Sequence, residues 1–466
     1  MIPSSSSSNA LGTGTPLPVS SNHLYTSNSG KSFEEIMAEQ MSTQQIELDR
    51  LENTKDEKLK STLPEETRNR IGVLPPPKNP QQLPVACGRP KIDYSKLGVD
   101  DFQKLKLIGK GDVGRVYLVL LKGTDLYFAM KILNKEEMIS RNKVKRVLTE
   151  REILATVDHP FITTLFCSFQ TKENLYFILE YCAGGEFFKV LKKQPNKCLP
   201  EPTVRFYAAE VVLALEYLHM KGFLYRDLKP ENLLLHHSGH IRLTDFDLSK
   251  QSVQQVTPTL VKSFFSSQKQ SIVELKQIQE FDSFIGTEEY LSPEILSGKK
   301  HNSCVDFWTL GILLYEMLFG FTPFKGSTQR ETFFNILNNP VTFPSKTAYP
   351  VSKQAKDLMT QLLITDKDKR LGAQHGISDI KTHAFFKDIS WALIRNEVPP
   401  IIPKLQSKLD TSYFNQYKMP EDQDEEEEKT GQENEEEAAD NPFKNFKFQT
   451  KKDIEIFNGG TTNNSK

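Results

Sequence analysis

The sequence predicts an α+β protein whose compact part begins at Phe102 and runs to about Phe386. Three observations carry that expectation. Apolar, strand-like residues lie on both sides of Gly109, Gly111 and Gly114, so this region reads as strand–turn–strand. Tyr127–Ile132 alternates as a strand does, whereas Val147–Leu154 follows a helical pattern. Phe307–Phe319 is the longest apolar candidate; it is too short for a membrane span, carries Glu316, and reads as a buried helix.

Taken in order, residues 1–101 are poor in core formers and read as a regulatory or disordered segment. A Ser/Asn/Thr-rich start passes into a polar helical stretch, Phe33 to about Lys60, and then into the Pro-rich Leu74–Pro84. The helical stretch reads either as an isolated amphipathic helix or disorder, or as a helix that contacts a partner or membrane. Residues 102–386 form the compact domain. It divides near 181/182 and is interrupted at about 251–282 by a stretch rich in Gln, Ser and Lys that reads as a surface insertion. Residues 387–466 form an extended tail containing Leu405–Tyr417, an acidic block at 421–440 and Asn441–Phe448.

Composition narrows the class. Of the 466 residues, 38% are hydrophobic and 26% charged, as in a soluble globular protein. The net charge of -1 conceals twelve acidic side chains and one lysine between Glu421 and Asp440, a block expected to stay solvated. Without it the chain is mildly basic, with no concentrated stripe that would argue for nucleic acid. The start of the sequence lacks the pattern of a secretory signal, and residue 2 is not the glycine of myristoylation. Cys87, Cys167, Cys182, Cys198 and Cys304 form no metal-type pair and read as reduced thiols. The expectation is a cytoplasmic monomer without a transmembrane segment, able to associate peripherally with membranes.

The chemistry-bearing motifs point to phosphoryl transfer. Gly109, Gly111 and Gly114 stand at GxGxxGxV spacing, and the strand on either side excludes the dinucleotide fold, which needs a following helix. Such a loop covers phosphates with its backbone, which makes Ile108, Gly109, Lys110, Gly111, Asp112, Val113, Gly114, Arg115 and Val116 candidate nucleotide contacts. Asp112 puts a carboxylate at the loop tip, unfavourable beside a triphosphate unless it points away or meets a cation. Lys131 can neutralise the α- and β-phosphates, with Glu150 as its ion-pair partner. Tyr225–Leu235 supplies Asp227 to orient an acceptor hydroxyl and take its proton, Lys229 for the γ-phosphate and Asn232 as an amide ligand to Mg²⁺. Asp245 supplies a carboxylate oxygen of the kind a hard cation prefers.

With these motifs in this order, the chain resembles a eukaryotic protein kinase of the AGC group across about Phe102–Phe448. The glycine loop, Ala129-Met130-Lys131, Arg226-Asp227, Asp245-Phe246-Asp247, Ser292-Pro293-Glu294, Asp306-Phe307-Trp308 and Arg370 carry the resemblance. It implies a bilobal fold, a small β-rich N-lobe over a helical C-lobe, with ATP between them. Leu179–Cys182 would be the hinge, with Glu180 and Cys182 at the adenine and Leu179 as gatekeeper. The resemblance further implies that Glu294 pairs with Arg370 and that Asp306 anchors the catalytic loop. The third residue of the metal motif is Asp247 where most kinases have glycine. With the insertion, this resembles the branch of plant phototropin-type and fungal flippase kinases, and implies regulation of phospholipid-translocating ATPases.

Switches and specificity follow from the same resemblance. Ser283 aligns with the family's phosphoacceptor and would pair, once phosphorylated, with Arg226. Thr287 aligns with the threonine that contacts the catalytic aspartate. Phe414 would lie near adenine. Phe443 and Phe446 match the FxxF motif, which implies docking on the N-lobe and recruitment of an upstream phosphoinositide-dependent kinase; Lys447 replaces the residue that many relatives phosphorylate. Glu186, Glu231 and Glu316 align with carboxylates that meet basic residues upstream of the acceptor. The expected activity is therefore transfer of the γ-phosphoryl of ATP to Ser/Thr of protein substrates. A pseudokinase scaffold is the alternative, but its usual signature, loss of the lysine or either aspartate, is missing. A lipid kinase is disfavoured by the peptide-substrate segment Gly286–Glu294.

Overall fold

A computed structural model describes residues 92–111, 114–251, 287–418 and 441–450, and the backbone of 259–262 and 271–274. The chain divides into two units, Met1–Val73 and Leu74–Lys466, and every described residue lies in the second. Phe33–Lys60, Leu74–Pro84, the acidic block, Asp112, Val113, Ser283 and most of the insertion lie outside the described residues.

Strands come first because their sequences alternate between two environments. β1 (Phe102–Lys110), β2 (Gly114–Leu121), β3 (Tyr127–Asn134), β4 (Leu165–Gln170) and β5 (Asn174–Glu180) pair antiparallel. A sixth strand from the tail, β12 (Phe448–Gln449), extends the sheet, giving the order β1-β2-β3-β5-β4-β12. One face of this sheet buries Phe102, Val119, Phe128, Met130, Tyr176 and Ile178. Tyr94 joins the same cluster and stacks on Phe166 at 6.0 Å, so ordered packing starts ahead of β1. Between β3 and β4 lie α1 (Lys135–Ser140), capped by the Asn134 side chain, and α2 (Val144–Thr156).

The larger half is helical. It contains α3 (Phe187–Lys192), α4 (Glu201–Met220), α5 (Pro293–Leu296), α6 (Cys304–Phe319), α7 (Gln329–Asn338), α8 (Lys353–Leu362) and α9 (Ile377–Lys381). α6 is buried along its whole length, as a helix apolar on every face must be, and ends at Gly320 with φ 84°. Short strands β6 (Phe223–Leu224), β7 (Leu233–Leu235), β8 (Ile241–Leu243) and β9 (Lys250–Gln251) frame the loops between α4 and α5. β7 and β8 form a hairpin, and β6 pairs with β9. Within the insertion, β10 (Thr259–Lys262) pairs with β11 (Ser271–Glu274). An antiparallel sheet followed by a helical half is the α+β arrangement expected from the sequence. Among the described residues no helix is long and apolar enough to cross a membrane.

Candidate active site

The site is built where β3, α2, the β7–β8 hairpin and the loop after β6 meet. Lys131 is in mid-strand on β3, and its Nζ donates to Glu150 Oε1 at 2.7 Å and Oε2 at 2.9 Å. Asp245 Oδ1 lies 3.7 Å from the same Nζ. Burial opposes the charge on Lys131, but the Glu150 and Asp245 carboxylates outweigh it and hold its pKa above the ordinary lysine value. The result is a cation clamped between two elements, with a carboxylate on each side.

Asp227 is the hub of the second group. Its Oδ2 accepts from Lys229 Nζ at 2.8 Å and Asn232 Nδ2 at 2.7 Å; Oδ1 receives Thr287 Oγ1 at a looser 3.4 Å. Lys229 Nζ also donates to Thr287 Oγ1 at 2.8 Å. Burial raises the Asp227 pKa and Asp245 adds to it, while Lys229 and Asn232 work against the rise. The loop is held from below by Asp306 on α6, whose Oδ1 and Oδ2 accept from Arg226 N at 2.7 Å and Tyr225 N at 3.1 Å. His219 on α4 completes that carboxylate at 2.7 Å. Arg226 and Asp245 both have left-handed backbones, φ 65° and 59°; the Asp306 anchor holds Arg226 in that strained state.

The donor set suits a magnesium-bound phosphate. The amide nitrogen of Asn232 is spent on Asp227, which leaves its oxygen for a metal, and Asp245 offers a half-exposed carboxylate. An amide and a carboxylate oxygen match Mg²⁺, which takes its other oxygens from phosphate and water. Among the described residues no cluster of three or more His, Cys, Asp or Glu side chains forms a protein-only cage.

The glycines of the loop have different reasons. A Cβ on Gly114 would lie 2.4 Å from Leu133 Cδ2 and 2.7 Å from Ile132 O, so its bareness lets β2 pack on β3. A Cβ on Gly111 would make only an ordinary contact, 3.8 Å from Gly114 O, and its N–H bonds Gly114 O at 2.9 Å to close the turn. Ile108 is buried; Lys110, Arg115 and Val116 lie on the strands beside the turn. At the back, Leu179–Cys182 covers the last two residues of β5 and the two that follow it, with Leu179 and Cys182 both buried. Phe414 stacks on Tyr181 at 5.8 Å, Tyr181 Oη donates to Asp410 O, and Lys106 Nζ donates to Thr411 Oγ1, so the tail crosses beside the hinge.

The remaining residues singled out by sequence fall into three places. Glu231 and Glu316 are carboxylates whose pKa burial raises; Glu316 and Glu186 add to the rise at Glu231. Glu316 accepts from Tyr290 Oη at 2.7 Å, and Glu186 pairs with Lys189 at 3.2 Å. Arg226 Nε donates to Leu248 O at 2.9 Å, and its Nη1 is 3.4 Å from His301. Phe443 and Phe446 are buried against the N-lobe: the Phe446 ring meets Phe177 edge-on at 5.0 Å, and Ser168 Oγ donates to Phe446 O at 2.6 Å. Sequence reasoning did not single out His219, Tyr290 or Arg146; each acts through a partner remote in the chain, and no local spacing marks them.

The chain is similar to known proteins over most of the described residues. Residues 102–386 match the family model described as Protein kinase domain. The chain is 52% identical over 366 residues to Serine/threonine-protein kinase nrc-2 of Neurospora crassa, covering 76% of this chain and 58% of that protein. It is 50% identical over 348 residues to Flippase kinase 1 of Saccharomyces cerevisiae, covering 74% and 38%. It is also 50% identical over 311 residues to Phototropin-1A of Oryza sativa subsp. japonica, covering 65% and 33%. The chain thus spans less than two thirds of the length of each of these relatives.

Proposed function

Because the chain belongs to the protein kinase family, we propose that its cleft transfers the γ-phosphoryl of ATP to serine and threonine hydroxyls of protein substrates. The supporting observation is the linked constellation Glu150–Lys131–Asp245 beside Asp227–Lys229–Asn232.

In this reading Lys131, held by Glu150, binds the α- and β-phosphates. Asp227 has two donors on Oδ2 and only the loose Thr287 contact on Oδ1 among the described residues, so Oδ1 receives the acceptor's proton. The hydroxyl oxygen forms a bond to the γ-phosphorus as the bond to the β,γ-bridging oxygen breaks, and ADP leaves with that electron pair. Lys229 stabilises charge on the transferred group. Asn232 and Asp245 would hold Mg²⁺, which when bound neutralises phosphate charge. Glu186, Glu231 and Glu316 favour substrates with basic residues upstream of the acceptor, because an arginine relieves the mutual repulsion of neighbouring carboxylates. Arg226 receives phosphate on Ser283, which lies outside the described residues, and the Phe443–Phe446 motif recruits an upstream phosphoinositide-dependent kinase. Likeness to Flippase kinase 1 supports phospholipid flippases as physiological targets.

The decisive experiment is radiolabelled phosphate transfer to basic peptides by the purified chain, set against Asp227→Asn. Incorporation lost in the variant supports the reading. Nucleotide binding without incorporation by a fully phosphorylated preparation would favour the scaffold alternative.

A further inference from the structure

A buried charged cluster behind the hinge joins both lobes and has no part in the transfer step. Glu180 ends β5; its Oε2 accepts from Arg242 Nε at 2.9 Å and its Oε1 lies 3.3 Å from His236 Nε2. The three side chains are only 13–17% exposed. Ser238 N donates to His236 Nδ1 at 3.3 Å, so Nδ1 is the acceptor and the ring hydrogen sits on Nε2, the nitrogen nearest Glu180. Arg242 also donates to the Pro160 and Ile241 carbonyls. The segment after Pro160 binds β8 through Leu243 N to Phe161 O at 2.8 Å, and the hinge through Glu180 N to Thr164 O at 2.9 Å.

This cluster therefore ties the hinge main chain to the hairpin that bears the metal-side ligands. Arg242 precedes Asp245 by three residues, and His236 follows β7, which begins directly after Asn232. A hinge fixed before nucleotide arrives need not be ordered on binding, which favours affinity for the base.

We propose that Arg242 is a positioning residue for the nucleotide: with His236 it latches the Glu180 side chain and so holds the Glu180–Cys182 main chain at the height where adenine docks. This rests on the hinge being the adenine site of the kinase proposed above. The latch acts on the base end of ATP and leaves the phosphate end, centred on Lys131, untouched.

The test uses the full chain and the variants Arg242→Met, Arg242→Lys and His236→Gln. ATP and peptide KM, kcat, and inhibition by Mg²⁺-tripolyphosphate, which has phosphates but no base, are measured for each. Arg242→Met should raise the ATP KM about tenfold, with peptide KM and tripolyphosphate inhibition held within about twofold. Arg242→Lys should recover most of the loss, and His236→Gln should show a smaller rise. An unchanged ATP KM, or equal loss of ATP and tripolyphosphate affinity, would overturn the latch. If Arg242→Met fails to fold, the same comparison in the other two variants decides. Wild-type protein unable to transfer phosphate would instead overturn the kinase reading, whatever the variants show.

Discussion

Arg146 on α2 reaches Asp247, with Nη1 3.6 Å from Oδ2. The third residue of the Asp245-Phe246-Asp247 motif is thereby tied to the helix that carries Glu150. Glycine at 247 would lack that tie and would gain backbone freedom. Inhibitors that require the motif to flip outward should bind the wild type weakly, and Asp247→Gly should tighten them about tenfold. Binding measured with one flipped-state and one ATP-like inhibitor checks this; equal changes for both would contradict it.

Arg370 is buried with its guanidinium forked onto Glu294, at 2.7 and 2.8 Å, and it also donates to Cys304 O at 2.7 Å. Burial alone would raise the Glu294 pKa, but Arg370 overcomes it and holds the carboxyl below its ordinary value. A depressed folded-state value adds stability above the ordinary glutamate pKa, and that stability is lost as pH falls through the folded value. Arg370→Met should cost about 3–5 kcal/mol by leaving a buried charge alone. Denaturant melts across pH should also show a shallower acid decline in Glu294→Gln than in wild type.

In the reaction proposed above, the acid side of the rate profile reports Asp227. It must be ionised to accept a proton, and burial raises its pKa. kcat/KM should therefore fall with decreasing pH at a value above that of a free aspartate. Removing the opposing cation in Lys229→Ala should move this limb to higher pH in the residual activity, while Lys229→Arg should leave it near the wild-type position. A limb that stays put in Lys229→Ala would argue that another group is being titrated.

Phe446 is wholly buried against Phe177, on the sheet that also presents Lys131. Phe446→Ala should cost about 3–5 kcal/mol of local stability. Activity should fall with it, because Arg151 on α2 donates to Asn445 O and couples the tail to the Glu150 helix. Thermal melts and peptide phosphorylation by the same preparation check both. Unchanged activity at a lowered Tm would separate the tail from the site.

Much of this site was legible because its chemistry is local. Asp227, Lys229 and Asn232 sit within one loop, and Asp245 follows a short hairpin, so spacing alone grouped them. The strand–turn–strand around Gly109 and the buried helix around Phe307 were readable from periodicity, since one buries a face and the other its whole surface. Contacts between distant side chains were not: His219 with Asp306, Arg146 with Asp247, and Glu180 with Arg242 leave no local pattern. Gly114 shows a subtler gap. Its spacing suggests phosphate, yet the collision its Cβ would make is with Leu133 and Ile132. The strand Phe448–Gln449 was also invisible, because two residues carry no period of their own and its partner β4 is remote in the chain.

That tail strand has an outcome for how molecules meet. Phe448 and Gln449 lie opposite Ser168 and Cys167, so the rim of β4 is already hydrogen-bonded by its own chain. An open rim of this kind is a template on which another molecule's strand can grow. A chain cut before Asn441 would bare that rim together with the pocket of Phe443 and Phe446, and so would offer another molecule both an unpaired edge and an apolar socket in one step.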